Sequence, residues 1–187
     1  MKSRLEVVYS PGQLARRVAS LGRSISRDYA GRTVDVVVVL ENAFVFAADL
    51  VRQISCPVVC HFVRLEIRDV KLDGQRRREV FFSPQPPLKG RDVLLVGGVL
   101  HSGVTQDFLL KRVLESRPRS LRLAVLVDKA EDRKVDVKAD YFACEVASKY
   151  LVGYGLSGRR RWYCNLPYLG AVRTAGRRTG RRARRAR

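Results

Sequence analysis

The sequence predicts an α/β fold in which a central parallel sheet carries helices on both faces. Two observations predict it: β-branched apolar runs of strand length alternate with helix-compatible segments, and a glycine-rich turn separates one such strand from the helix after it. With 187 residues and 46% hydrophobic content, the chain is expected to form one packed domain rather than two. No apolar run approaches the ~20 residues of a membrane span or forms a secretory signal. We therefore expect a cytoplasmic protein without membrane contact.

The individual elements follow from apolar spacing and turn signals. A helix is predicted after Ser10, because Pro11 suits a first helical turn and apolar residues then recur at helical spacing up to Gly31. The run VDVVVVL (34–40) predicts a strand buried on both faces, and AFVFAADLVRQI (43–54) predicts a helix. Further strands are predicted over 57–65, 92–96 and 121–127, with a helix over 106–116.

Residues 66–83 differ from the apolar segments on either side. Their sequence, EIRDVKLDGQRRREVFFS, places the hairpin-turn signal Asp73-Gly74 between two charged, roughly alternating arms. We expect a flexible β-hairpin loop here.

The four cysteines do not indicate a metal site. They form no CxxC pair and have no histidines at zinc-finger spacing. Cys56 and Cys60 flank the apolar tripeptide PVV, so buried, reduced thiols are predicted.

The net charge of +19 is concentrated at the C-terminus, where residues 173–187 contain eight arginines and no acid. A segment of arginine, glycine, alanine and threonine without apolar periodicity cannot bury a core, so we predict a disordered tail after a domain of residues 1–172. Such a tail suits electrostatic binding of nucleic acid or another polyanion, and it equally suits a solubilising role.

The segment DVLLVGGVLHSGVTQDF (92–108) runs from a strand through glycines into a helix. It nearly fits a P-loop, but Val104 stands where that motif has lysine, which argues against a Walker-type nucleotide site. Ser102, Gly103, Val104 and Thr105 still supply successive backbone N–H groups and two hydroxyls at a helix start, which suits a phosphate monoester. An ordinary strand-to-helix turn is the alternative.

Four collinear segments carry a resemblance to a known family: LENAFVFAADLVRQI (40–54), DVLLVGGVLHSGVTQDFL (92–109), AVLVDKAEDRKVDVKADYF (124–142), and KYLVGYGL with YCNLPYLG (149–170). Together they resemble the hypoxanthine-guanine phosphoribosyltransferase family over nearly the whole chain except the arginine tail. The resemblance implies a type I phosphoribosyltransferase fold: a central parallel sheet, a small hood built from the N- and C-terminal segments, a flexible loop over the site, and homodimers or homotetramers.

The resemblance also implies a purine pocket. Lys129 matches the lysine that recognises the 6-oxo group, Tyr150 matches the aromatic residue that stacks on the base, and Leu151 matches the backbone position at the edge of the base. A cation facing a carbonyl oxygen prefers oxopurines to adenine. The turn at 102–105 matches the loop that binds the 5′-phosphate. A core position is the alternative for Tyr150.

The pyrophosphate side departs from the family pattern. Gly97 and Gly98 stand where the family has two acids that bind the ribose hydroxyls of phosphoribosyl pyrophosphate (PRPP). Ser157 replaces a magnesium-binding aspartate, and Cys164 replaces an arginine that contacts pyrophosphate.

Two loops on the same side have also changed. The Leu-Lys-Gly turn of the family reads Leu40, Glu41 and Asn42, and the Ser-Tyr pair of the flexible loop reads Ile67-Arg68. Arginines 159–161 are candidate replacements for the pyrophosphate arginine, although such a charge run is usually a solvated surface.

Histidine at position 101 replaces the aspartate that the family uses as general base, and its ordinary pKa of ~6.5 suits proton transfer. The preferred hypothesis is a purine-nucleotide-binding homologue with weak or no catalysis. Three alternatives are left open: an active, magnesium-dependent enzyme of purine salvage that makes IMP or GMP, a nucleic-acid-binding regulator of the same fold, and a subunit that pairs with an active homologue.

Overall fold

The computed structural model describes residues 5–40, 42–72, 75–82, 86–147, 150–157 and 162–172. Several positions from the sequence analysis lie outside these described residues: Glu41, the Asp73-Gly74 turn, arginines 159–161 and the tail 173–187. In chain order the elements are β1 (Leu5–Tyr9), α1 (Pro11–Asp28), β2 (Val34–Leu40), α2 (Phe44–Val51), β3 (Val58–Leu72), β4 (Gln75–Phe82), β5 (Asp92–Leu100), α3 (Val104–Glu115), β6 (Ser120–Asp128), the 3-10 turn η1 (Ala130–Asp132), β7 (Tyr141–Glu145), β8 (Leu151–Val152) and β9 (Leu169–Val172).

Helix α1 begins at the predicted residue because its N-terminal signals are satisfied. The Ser10 hydroxyl accepts a hydrogen bond from the Gln13 backbone, and the Gln13 side chain accepts one from the Ser10 backbone, which completes a capping box. Its apolar stripe, Leu14, Val18, Leu21 and Ile25, is buried against the sheet.

Five parallel strands form the central sheet in the order β3-β2-β5-β6-β7. Helices α1 and α2 cover one face and α3 covers the other, because alternate residues of β2 and β5 enter two separate apolar clusters. The chain order reverses between β2 and β5. In open α/β sheets, this switch point is where ligands bind, beyond the carboxyl ends of the strands.

Two further features agree with the implied fold. β3 continues beyond the sheet and pairs with β4 as an antiparallel hairpin, with Leu72 opposite Gln75 at its described end. A second sheet in the order β1-β9-β8 joins the N-terminal segment to the C-terminal one and forms the hood. The Tyr154 hydroxyl, in the loop that follows β8, donates a hydrogen bond to Asp49 of α2, which fixes the hood to the main domain.

Some expectations were incomplete or wrong. β5 runs from residue 92 to residue 100 rather than ending at 96, so the paired glycines lie inside a strand. β7 was not predicted as a strand. Cys60 is exposed and Cys56 half-buried, although both were expected to be buried. Cys60 lies on β3, whose side chains at 59, 60, 62 and 64 are exposed, and Cys56 lies in the loop before that strand.

Buried acids at the amino-terminal edge of the sheet are paired with cations. Asp35 binds His61 at 2.8 Å and Arg91 at 2.7 Å. Asp92 accepts hydrogen bonds from Arg119 and, at 2.6 Å, from Ser120. No helix in the described part of the chain is long and apolar enough to cross a membrane.

Candidate functional site

A cavity of about 370 Å³ opens at the switch point between the carboxyl ends of β2 and β5. Its polar lining comes from the loops after these strands and from the start of α3: Asn42, His101, Ser102, Thr105 and Gln106. Apolar side chains, including Leu95, Leu109 and Leu123, form its inner wall, and the backbone of Gly97 and Gly98 borders it. The volume and the mixed lining are those of a small-molecule site.

The turn that precedes α3 has the geometry of a phosphate cradle. Gly103 has a left-handed φ of 83°, and a Cβ there would lie 2.8 Å from the Val135 side chain, so only glycine fits. The Lys134 N–H donates to the Ser102 carbonyl at 2.9 Å and holds the turn in place. No side chain caps the N-terminus of α3, so its first N–H groups have no side-chain partner, and Ser102 and Thr105 beside them both line the cavity.

The two glycines of β5 have different surroundings. A Cβ at Gly98 would lie 2.7 Å from the Asn42 carbonyl oxygen, because the loop after β2 crosses directly over that glycine. A Cβ at Gly97 would meet only the Val125 and Gln106 side chains, at 3.7 and 3.9 Å, on the α3 side of the sheet. Only one of the two positions could therefore take a side chain without movement of the backbone.

Ser157 also contacts this corner of the cavity. Its hydroxyl donates a hydrogen bond to the Asn42 side-chain oxygen at 3.4 Å. Asn42, Gly98 and Ser157 thus contact one another in a chain. These three residues therefore form one packed unit.

His101 lies directly after β5 and is more than half exposed. Its Nε2 atom is 3.0 Å from Asp132 Oδ2, at the end of η1. This buried carboxylate oxygen accepts no hydrogen bond from the described residues, so its contact with His101 is close in distance but is not a hydrogen bond. Arg133 fixes the same loop by donating to the His101 carbonyl at 2.7 Å and by binding Asp128.

The residues assigned to the purine lie on two parts of the fold. Lys129 follows β6, is 9% exposed, and donates its backbone N–H to the Leu100 carbonyl at 3.0 Å, next to His101. Burial lowers the pKa of the Lys129 ammonium, and the Asp132 carboxylate opposes that effect. Tyr150 and Leu151 belong to the hood. Tyr150 is half exposed, which argues against the core alternative, and Leu151 is buried in β8.

Cys164 also lies in the hood region, where its carbonyl accepts a hydrogen bond from the Gly155 N–H at 2.9 Å.

Two residues of the site were not predicted from the sequence. Gln106 lines the cavity and donates to the Val99 carbonyl at 2.9 Å. The position of Gln106 in the first turn of α3 could have indicated that it lines the cavity. Nothing in the sequence indicated the contact of Asp132 with His101.

The chain is similar in sequence and in fold to known proteins. The model of the phosphoribosyl transferase domain matches residues 6–156. The hypoxanthine-guanine phosphoribosyltransferase of Dictyostelium discoideum is 31% identical over 172 residues, which cover 90% of this chain and 95% of that protein. The chain belongs to the hypoxanthine-guanine phosphoribosyltransferase family. The hypoxanthine-guanine phosphoribosyltransferase of Bacillus subtilis is 29% identical over 176 residues, which cover 94% of this chain and 97% of that protein.

The fold agrees with solved members of the family. A crystal structure of a hypoxanthine-guanine phosphoribosyltransferase from Bacillus anthracis superimposes with a TM-score of 0.79 at 31% identity, covering 92% of this chain and 99% of that one. The central parallel sheet flanked by helices is therefore that of the phosphoribosyltransferase family.

The described residues do not fit a protein-bound magnesium ion at the cavity. Asn42, Gly97, Gly98 and Ser157 offer an amide, a hydroxyl and no carboxylate at this corner, whereas Mg²⁺ prefers carboxylate oxygens alongside substrate phosphates. Across the described part of the chain, no group of three or more His, Cys, Asp or Glu side chains could hold a metal ion.

Proposed function

We propose that this family member binds a purine nucleotide and has weak or no phosphoribosyltransferase activity. In this proposal Lys129 and Tyr150 recognise the base of GMP or IMP, with the Leu151 backbone at its edge, and the turn at 102–105 holds the 5′-phosphate. One observation carries the proposal: the corner that would bind the PRPP ribose has no carboxylate on β5, and Asn42 is packed against Gly98.

The energetic consequence is larger for PRPP than for a nucleotide, because only PRPP also needs a site for its pyrophosphate. Each lost bidentate hydroxyl contact removes about 1 to 3 kcal/mol, so two lost contacts weaken PRPP binding by several powers of ten. A nucleoside monophosphate has the same ribose hydroxyls and 5′-phosphate as PRPP, but it carries a base, which Lys129 and Tyr150 can bind, in place of the pyrophosphate.

The base preference follows from the chemistry of the pocket. The Lys129 ammonium donates hydrogen bonds and accepts none, so it suits the 6-oxo group of hypoxanthine or guanine and disfavours the amino group of adenine. Tyr150 is 51% exposed, which leaves a ring face available for stacking.

The test is calorimetric binding of GMP, IMP, AMP and PRPP, run beside a sensitive assay of PRPP- and magnesium-dependent IMP or GMP formation. We expect measurable GMP or IMP binding, weaker AMP binding, and no turnover. Turnover within the usual enzyme range of ~1 to 10³ per second would refute the proposal. Absence of GMP and IMP binding would refute it as well.

An active salvage enzyme is the second candidate, and the 3.0 Å contact between His101 and Asp132 favours it. A carboxylate close to one imidazole nitrogen can position the ring, which leaves the other nitrogen to accept a proton. In this reading His101 accepts the purine proton while IMP or GMP forms with release of pyrophosphate.

Single variants test this second candidate. His101→Ala should lower turnover with little change in base affinity, and Asp132→Asn should do the same to a smaller extent. Asp136→Asn, on an exposed neighbour in the same loop, is the matched control. Equal turnover in wild type and His101→Ala would exclude His101 as the base.

A further inference from the structure

Helix α1 exposes a cationic face on the side opposite its buried apolar stripe. The exposed positions recur along the helix: Gln13, Arg16, Arg17, Ser20, Arg23 and Arg27. The only acid of the helix, Asp28, accepts hydrogen bonds from Arg122 and Tyr141 at its C-terminal end. The exposed face therefore carries positive charge along most of its length.

Two adjoining grooves run along this face, which we call the α1 groove. One, of about 460 Å³, is lined by four serines, Gln53, Arg23 and Arg27. The other, of about 340 Å³, is lined by Gln13, Ser20, Arg16 and Arg17. Ser20 belongs to both, so the grooves are continuous, and their lining contains no acidic or aromatic residue.

The wall of the larger groove is built by close packing. A Cβ at Gly22 would lie 2.7 Å from the Gln53 carbonyl oxygen, so the segment after α2 can approach α1 only because this residue is glycine. The Ser26 hydroxyl links the two segments by donating to the Gly22 carbonyl at 2.7 Å and accepting from the Ser55 N–H at 2.9 Å. The groove therefore has a fixed shape.

The arginines of the groove form no salt bridge within the described part of the chain, and the nearest acid, Asp28 beside Arg27, already binds Arg122. Arg16 and Arg23 form no hydrogen bond or ion pair with a described residue, and Arg27 donates only to the Ser24 hydroxyl at 3.2 Å. Several arginines elsewhere have acidic partners, as Arg112 has in Glu115 and Arg91 has in Asp35. Charge complementarity thus calls for an anionic partner from outside the described chain.

We propose that the α1 groove binds the phosphate backbone of nucleic acid. Arg16, Arg23 and Arg27 are four to seven residues apart, which corresponds to about 6 to 10 Å along the helix, or two to three nucleotides of a strand. Hydroxyl and amide groups between the guanidinium groups supply further donors for phosphate oxygens.

Other classes of partner fit the groove less well. A membrane-surface helix offers an apolar face to lipid, but the apolar face of α1 is buried in the core. Protein interfaces depend on aromatic or aliphatic anchors, and this groove contains none. Without aromatic residues for base stacking, binding should be independent of sequence. The inference does not depend on the proposed nucleotide site, which lies at the carboxyl edge of the sheet.

The test compares two triple variants of the full chain that remove equal charge. Arg16→Gln/Arg23→Gln/Arg27→Gln alters the groove, whereas Lys89→Gln/Lys111→Gln/Arg112→Gln alters surface cations outside it, on α3 and before β5. Anisotropy measures the binding of labelled single-stranded RNA, and of DNA of the same sequence, over a series of salt concentrations. Thermal unfolding checks that both variants fold, which is expected because the substituted side chains are largely solvent-accessible.

Loss of three phosphate contacts should reduce the slope of log K against log salt by about 2, since each contact on a single strand contributes about 0.7. We expect this reduction in the groove variant and not in the control. A smaller slope with either RNA or DNA supports the proposal, and the comparison of the two shows whether ribose or deoxyribose is preferred. Equal salt dependence of the two variants overturns the proposal.

Discussion

The carbonyl oxygen of Asn42 lies 2.7 Å from the point where any residue other than glycine would place its Cβ at position 98. The two glycines of β5 should therefore respond differently to substitution. We predict that Gly98→Ala destabilises the protein by about 1 to 3 kcal/mol, the range for an overpacked site. Gly97→Ala should be neutral or slightly stabilising, because its Cβ would meet side chains at ordinary contact distance. Urea unfolding of both variants measures the difference, and equal destabilisation would contradict this account of the corner.

The phosphate cradle can be tested through ligands that differ by one group. We predict that Thr105→Val lowers the affinity for GMP about tenfold, because a hydrogen bond to a charged oxygen is worth about 1.5 kcal/mol or more. Affinity for guanosine, which lacks the phosphate, should not change. Calorimetry with both ligands decides the matter. A parallel loss for guanosine would show that Thr105 acts through the base or through folding.

Base selection by Lys129 is tested by its isosteric replacement. Lys129→Met keeps the length of the side chain and removes the donor, so GMP and IMP affinity should fall about tenfold or more while AMP affinity stays the same or rises. Lys134→Met, on an exposed residue of the next turn, is the control and should bind like wild type. If both variants bind GMP equally well, Lys129 does not recognise the base.

The ion pairs between buried acids and half-exposed arginines at the opposite edge of the sheet predict a pH-dependent contribution to stability. The hydrogen bond from Arg119 lowers the pKa of the Asp92 carboxyl, against the effect of burial. A carboxyl whose pKa is lower in the folded state stabilises that state above its unfolded pKa of ~3.9, and this stabilisation is lost as pH falls through the folded value.

Asp92→Asn should therefore reduce the free energy of unfolding by about 1 to 3 kcal/mol at neutral pH. The difference in unfolding free energy between this variant and wild type should narrow below about pH 4. There the wild-type carboxylate becomes protonated, first in the unfolded state and then, at lower pH, in the folded state. Unfolding measured between neutral and acidic pH tests both parts. A difference independent of pH would mean that the charge of Asp92 has no stabilising role.

Local signals in the sequence were sufficient for the central sheet and the first helix. The run 34–40 became β2 with the predicted bounds, because a long β-branched stretch buried on both faces has few alternatives. β8 and β9 were not assigned as strands from local pattern, because they have two and four residues and depend on pairing across the fold. The family resemblance supplied the hood instead.

The candidate site was predictable where it consists of one continuous segment. The cradle at 102–105 follows from a glycine-rich strand-to-helix turn, so its outline was visible in the sequence. The contacts of Asn42 with Gly98 and of His101 with Asp132 join residues that are 56 and 31 positions apart. Such contacts depend on how loops from different strands meet, which periodicity does not encode.

The hood has a consequence for how this chain emerges from a ribosome. Strand β1, at residues 5–9, pairs with β9, at residues 169–172, so one of the first described segments to be synthesised acquires its partner only after nearly all the rest. The central parallel strands all precede β9 in the chain and can pair during synthesis. Until β9 is released, β1 has an unpaired edge, which is an opportunity for association with other nascent chains. Premature termination before residue 169 would make that exposure permanent.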